Sequence, residues 1–225
     1  MIDPDFTVRF SSAEWFGETR VITIGGVGTI GSWLSLLLAR TGDHTLILYD
    51  DDKVETHNLS GQLYDKLAID KYKVNATRSI IIEFSGHNGD QIISSQKRIT
   101  ENSSVSPVCF SCFDNMKARK DFFKAWKKLD NREVFIDGRM TIESYQVYTV
   151  TKGMEDAYEA TLFSDADLPD QICSLKSTSH VGALIGGRMT SIFMNYLANV
   201  KNPESMRDVP FEWREDLEPL LVKIV

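Results

Sequence analysis

The chain has 225 residues, 42% of them hydrophobic, enough to bury one sizeable core, and no linker divides it. A net charge of −7 and a sequence pI near 5.2 argue against nucleic-acid binding by bulk electrostatics. The N-terminus, MIDPDFTVRF, lacks the basic-then-apolar character of a secretory leader, so a cytoplasmic location is expected.

Residues 21–24 form an apolar run that leads into Gly26-Val27-Gly28-Thr29-Ile30-Gly31, a G-x-G-x-x-G match, followed by an apolar helix over 33–39. This uncharged stretch approaches a bilayer span in length, but its glycines fit a strand–turn–helix unit, and no membrane association is expected. Gly26 suits a tight turn, Gly28 a close approach of phosphate to backbone, and Gly31 close packing of helix on sheet. The helix N-terminus then favours an anion. A second apolar run, 45–49, ends at Asp50, where a carboxylate can accept hydrogen bonds from a ribose. This is a nucleotide site, and the turn alone leaves NAD, FAD, S-adenosylmethionine and ATP open.

Further along, 71–84 reads as a helix with Val74, Thr77, Ile81 and Phe84 on one face. Short strands are expected at 91–94 and 105–112, and a helix over 115–129 with Phe122, Trp126 and Leu129 inward. Strands follow at 133–136 and 141–150. Residues 177–200 form a helix with Val181, Ile185, Ile192 and Tyr196 on its apolar face, and Gly182 and Gly186 leave room for close packing. The segment 202–225, with Pro203, Pro210 and Pro219, is left without assignment. The alternation predicts an α/β fold.

The nucleotide is narrowed by Asp50-Asp51-Asp52-Lys53-Val54, Asn58-Leu59, Gln62, Lys73-Val74 and Asp114-Asn115, with Arg119 one helical turn on. In this order the chain resembles the ThiF/MoeB/HesA family, adenylyltransferases related to ubiquitin-activating enzymes, over roughly residues 20–200. The resemblance implies a Rossmann-like three-layer fold with a mostly parallel sheet and a β-rich, loop-containing C-terminal half. It implies one adenylation domain over 1–225, with a nucleotide-binding half at 20–115. The partner-binding half, 116–225, would carry a crossover loop at about 152–176. The implied reaction joins the C-terminal carboxylate of a small ubiquitin-like or sulfur-carrier protein to AMP, using ATP and Mg. An anion must attack a polyanion, so preorganised positive charge and in-line positioning are the main catalytic tools. Lys73 would then hold phosphate oxygens and Asp114 magnesium. Asp50 would bind ribose, Asn58 and Gln62 would line the phosphate path, and Asp52 and Asn115 would complete the nucleotide contacts. Relatives form two-fold dimers, so a homodimer or a pairing with a homologous subunit is expected.

Each residue also has a plainer reading: the aspartates as an acidic turn, Lys73 as a solvated side chain, Asp114 as a helix N-cap. Two positions depart from the family pattern. Thr29 stands at its third glycine, and Gly61 stands where it has an arginine, removing about 2–4 kcal/mol of transition-state stabilisation unless replaced. Relatives supply a further arginine from the partner subunit's N-terminal segment, for which Arg9 is the candidate. Gly61 favours the alternative of a non-catalytic nucleotide-binding subunit. The glycine turn and Asp50 alone favour an NAD-dependent oxidoreductase.

The histidines, His44, His57, His87 and His180, show no metal-ligand spacing. Cys109 and Cys112 form a lone C-x-x-C inside an expected strand, where their side chains point to opposite faces, which speaks against zinc or redox work. Cys173 follows the acidic run 152–172, which has few large apolar residues beyond Tyr158, Leu162 and Phe163 and is expected to be mobile. In some relatives a cysteine in this loop takes the activated protein as a thioester. Cys173 is the candidate here and is expected to react with iodoacetamide faster than Cys109 or Cys112.

Overall fold

The computed structural model describes residues 4–141, 143–164 and 178–225. One eight-stranded sheet runs β3-β2-β1-β4-β5-β6-β7-β8. Its parallel part is β1 (Val21–Gly25), β2 (Thr45–Tyr49), β3 (Ile92–Ser95), β4 (Val108–Ser111) and β5 (Val134–Met140). β6 (Ser144–Thr151), β7 (Glu212–Leu217) and β8 (Leu220–Ile224) add on antiparallel. The chain steps outward from β1 to β2 and β3, then returns to place β4 on β1's other side. This reversal opens a crevice at the carboxyl ends of β1 and β4, the general ligand position in such sheets.

The helices are α1 (Pro4–Thr7), α2 (Thr29–Thr41), α3 (Lys73–Phe84), α4 (Met116–Lys127), α5 (Glu155–Glu159) and α6 (Ser179–Lys201). Because side chains alternate along a strand, each buried strand supplies both layers. Ile22, Ile24, Phe110 and Ile136 pack with Leu34, Leu38, Val74, Ile81, Ile185 and Phe193 from α2, α3 and α6. Cys109 and Phe135 pack on the opposite side with Phe122, Phe123, Trp126 and Tyr158 from α4 and α5. The three-layer α/β expectation holds. Cys112 belongs to the first cluster and Cys109 to the second, so the pair does face opposite ways. Burial raises both thiols above their ordinary range.

α6 lies against α2 at the glycines the sequence singles out. A Cβ on Gly182 would come within 2.8 Å of the Thr29 carbonyl oxygen, and one on Gly186 within 3.1 Å of the Leu34 nitrogen. Several boundaries move. β5 continues through Asp137 and Gly138 to Met140, because β6 and buried ion pairs satisfy residues that usually end strands. Phe84 is 52% exposed, since it is the last residue of α3 and lies past the core. The acidic run expected to be mobile contains α5, whose Tyr158 is fully buried against Phe123 and Phe135, and whose Glu155 pairs with Arg132 at 2.8 Å. Those contacts correct the expectation for 155–159. Among the described residues no helix is long and apolar enough to cross a membrane.

The edge opposite the crevice carries a titration consequence. His44 is 1% exposed, and its Nδ1 accepts the Arg20 amide at 3.2 Å. Burial, with His87 and Arg20 nearby and only Asp43 opposing, pushes it down to about 4. The folded form therefore keeps His44 neutral while the unfolded chain protonates near 6.5. The stabilisation is complete above pH 6.5 and is lost as pH falls towards 4, by about 3 kcal/mol. Urea unfolding at pH 7 and 4.5 should show this loss, and His44→Gln should shrink it. An unchanged pH dependence in His44→Gln would remove His44 as its cause.

Candidate functional site

The crevice is built around the turn after β1. Gly26 has φ +82°, the left-handed region that glycine adopts without strain, and its amide donates to the Tyr49 carbonyl at 2.8 Å. Gly31 lies so close beneath it that a Cβ would stand 1.9 Å from the Gly26 carbonyl oxygen. Gly28 differs, since nothing comes nearer its missing Cβ than the Gln62 amide at 3.8 Å. Gly26 and Gly31 shape the turn, and Gly28 leaves a cradle open. The first amides of α2, which lack intrahelical partners, face that end.

Asp50 closes the cradle from the end of β2. Its Oδ2 accepts the Val27 amide at 3.0 Å and its Oδ1 accepts the Asp52 amide at 2.9 Å. Burial lifts the carboxyl above its usual range, with Lys73 and the two amides pulling the other way. Lys73, at the start of α3, has a side chain only 10% exposed, and its Nζ lies 2.9 Å from Asp52 Oδ2. Its cation is held beside the glycine turn, which removes the plain reading of a solvated lysine. Asp52 is thereby engaged with Lys73.

Asn58 is buried, and its Oδ1 accepts the Glu55 amide at 2.8 Å. Its carbonyl accepts the amides of Gly61 and Gln62. Gln62 points its amide at Gly28, and its buried Oε1 has no hydrogen-bond partner among the described residues. The Gln62 Nε2 that faces the open cradle is a donor a phosphate oxygen of ATP can accept from, and the unpartnered Oε1 can accept from a ligand hydroxyl or water.

Across the crevice, Asp114 is exposed just beyond β4. The helix cap is its neighbour, since Asn115 Oδ1 accepts the Ala118 amide at 2.8 Å. That corrects the reading of Asp114 as the N-cap, and it commits the Asn115 side-chain oxygen to α4. For magnesium the carboxylates of Asp50, Asp51 and Asp52 come within 4.8 Å of one another. Each is already engaged, Asp50 by amides, Asp51 by Arg98 at 2.8 Å and Asp52 by Lys73. Asp114 is also engaged, its Oδ1 accepting from Asn115 Nδ2 at 3.3 Å, but it is an exposed hard-oxygen donor at the crevice and so fits a hydrated magnesium.

Arg9 is not brought to this crevice. It sits in a 3-10 turn, Val8–Phe10, after α1, and Phe6 of that segment lies under Arg40 at the far end of α2. Among the described residues no hydrogen bond or ion pair joins Arg9 to the site. Cys173 lies outside the described residues.

Sequence reasoning missed the clamp that holds Asn58–Gln62 on the turn. The Tyr64 hydroxyl donates to the Val27 carbonyl at 2.5 Å, and Ser32 Oγ accepts the Leu63 amide at 3.0 Å. Neither residue belongs to a motif, and only the three-dimensional approach of the loop to α2 exposes their role.

The ThiF family model matches residues 16–211. The sulfur carrier protein ThiS adenylyltransferase of Escherichia coli (strain K12) is 27% identical over 176 residues, covering 75% of this chain and 67% of the relative. The ubiquitin-like modifier-activating enzyme 5 of Caenorhabditis elegans is 31% identical over 114 residues, 44% of this chain and 27% of the relative. The crystal structure of E. coli MccB with ATP superposes at a TM-score of 0.66 with 14% identity, over 91% of this chain and 63% of that one. SeMet PaaA gives 0.66 with 15% identity, over 94% and 64%. Those structural likenesses establish the fold, and the chain spans less than two thirds of both solved chains. A family match over most of the sequence and a shared fold lead to one conclusion: the chain belongs to the ThiF family.

Proposed function

We propose that this protein is an ATP-dependent adenylyltransferase acting on the C-terminal carboxylate of a small ubiquitin-like or sulfur-carrier protein. The observation that carries the reading is the Lys73 ammonium, held by Asp52 and acting on Asp50, the carboxylate that grips the Val27 amide of the glycine turn. A dinucleotide pocket has no need of a buried cation there. A carboxylate oxygen of the partner bonds to the α-phosphorus of ATP as the bond to the bridging oxygen breaks, and pyrophosphate leaves with that electron pair. No residue of this chain has to move a proton. Asp50 orients the ribose, the α2 amides and Gln62 hold phosphate oxygens, and Lys73 offsets their charge. Asp114 would hold magnesium, whose contribution is further neutralisation of phosphate charge. On this reading residues 20–115 bind nucleotide and 116–225 the partner. Arg9, remote from its own crevice, serves the neighbouring subunit's site in a dimer.

The second reading, a nucleotide-binding subunit without turnover, rests on Gly61. Its φ of −123° is open to any residue, so the backbone does not demand glycine there. Two measurements separate the readings. Magnesium-ATP at a hundred times its dissociation constant should stabilise the chain by about 2.7 kcal/mol, visible in the melting temperature. Pyrophosphate exchange in the presence of candidate carrier proteins should then be detectable. ATP binding without exchange for any carrier favours the inactive subunit, and a larger thermal shift with NAD than with magnesium-ATP sinks both.

A further inference from the structure

Asp137, the carboxylate at the fourth position of β5, is fully buried and lies outside the nucleotide contacts described above. In register it sits beside Ser111 at the end of β4 on one side and Tyr148 of β6 on the other. Two guanidiniums converge on it: Arg119 Nε reaches Oδ1 at 2.7 Å, and Arg139 Nε reaches Oδ2 at 2.7 Å. Burial alone would raise the carboxyl, but the arginines outweigh it and hold it below its ordinary range.

Arg119 also reaches the crevice. While Nε is held by Asp137, its Nη2 donates to the Phe113 carbonyl at 2.7 Å and to the Gly138 carbonyl at 3.1 Å. The Phe113 carbonyl and the Asp114 amide share one planar peptide unit. Fixing that oxygen therefore fixes the plane from which the Asp114 backbone departs. On the far side, Arg139 donates to the carbonyl and hydroxyl of Thr161 at 3.0 and 2.9 Å and lies over the Tyr148 ring at 4.3 Å, which keeps the carboxylate enclosed.

We propose that Asp137 is a positioning residue for the Asp114 loop: it locks the Arg119 fork, and through the Phe113 carbonyl it sets where the Asp114 carboxylate stands. The proposal rests on the reading of Asp114 as the magnesium ligand. A buried carboxylate gripped from both sides gives the fork one orientation, whereas a neutral amide would leave two buried guanidiniums without a counter-charge.

The test uses Mn2+ as a paramagnetic probe for the full chain with ATP, free Mn2+ being read by electron paramagnetic resonance. Asp137→Asn is expected to weaken Mn2+ binding at least tenfold, with metal-free ATP affinity within twofold of wild type. Where Asp137→Asn does not fold, Arg119→Lys decides, because a lysine cannot reach Asp137 and Phe113 together. It should show the same selective loss. Arg132→Lys, which weakens the ion pair to Glu155 on α5, is the control for general destabilisation. Wild-type Mn2+ affinity in folded Asp137→Asn or Arg119→Lys overturns the proposal, as does an equal loss in Arg132→Lys. A wild-type chain that binds no Mn2+ with ATP overturns the magnesium reading itself, and so does Asp114→Ala binding Mn2+ like wild type. Either result removes the proposal with that reading and is distinct from a failure of Asp137 alone.

Discussion

Lys73→Met is expected to lower pyrophosphate exchange by about a hundred- to a thousand-fold and to leave a cooperatively folded protein. The size follows from removing a preorganised charge at the point where anionic groups must meet, where a single donor is worth about 3–4 kcal/mol. Methionine keeps much of the volume and the apolar stem that α3 packs inward. The partner left behind, Asp52, has a side chain 60% exposed, so water can solvate it and the stability cost stays at about 1 kcal/mol or less. Exchange rate and melting temperature measured on the same preparation separate the two effects. Undiminished exchange in the folded variant would remove Lys73 from the phosphate site.

Gly31→Ala should act on the other axis. The new methyl would stand 1.9 Å from the Gly26 carbonyl oxygen, and that carbonyl belongs to a residue fixed at φ +82° and tied to Tyr49. Backbone, not a flexible side-chain tip, must give way. A destabilisation of about 3 kcal/mol or more is expected, with loss of the ATP-dependent thermal shift. Gly28→Ala offers the contrast. Its methyl meets only the Gln62 amide at 3.8 Å, so it should cost far less stability while still filling the phosphate cradle. Equal stabilities for the two variants, by urea unfolding, would contradict the division of labour between these glycines.

The sequence made the first half of the fold legible because its signals are local. A glycine turn between an apolar strand and an apolar helix constrains itself, and β1, α2 and β2 fall where it points. The candidate site was legible for the same reason at Gly26, Gly28, Gly31 and Asp50. Lys73 and Gln62 needed the family order, since neither a lone lysine nor a lone glutamine carries a pattern. The C-terminal hairpin was not legible. β7 reads Glu-Trp-Arg-Glu-Asp-Leu, a charged string that resembles a loop until β6 supplies its partner strand. Asp137 and Arg139 were hidden by the depletion of Asp and Gly in strands. Besides pairing with each other they depend on the distant Arg119 and Thr161, and no window along the chain contains those partners. α5 was masked by its acidity, because one tyrosine buried among aromatics outweighs three acidic residues in five.

The meeting of α2 and α6 has a mechanical meaning. At Gly182 the second helix comes down on Thr29, the first residue of α2, where a Cβ would stand 2.7 Å from its side-chain methyl and 2.8 Å from its carbonyl oxygen. The Thr29 side chain can change rotamer and absorb part of a shift, but its carbonyl, equally close, cannot. A tilt of α6 at its start therefore bears directly on the residue that opens the phosphate-facing end of α2. The chain enters α6 from the stretch that carries Cys173, so whatever displaces that helix onset also loads the nucleotide turn, like a rod resting on a hinge pin.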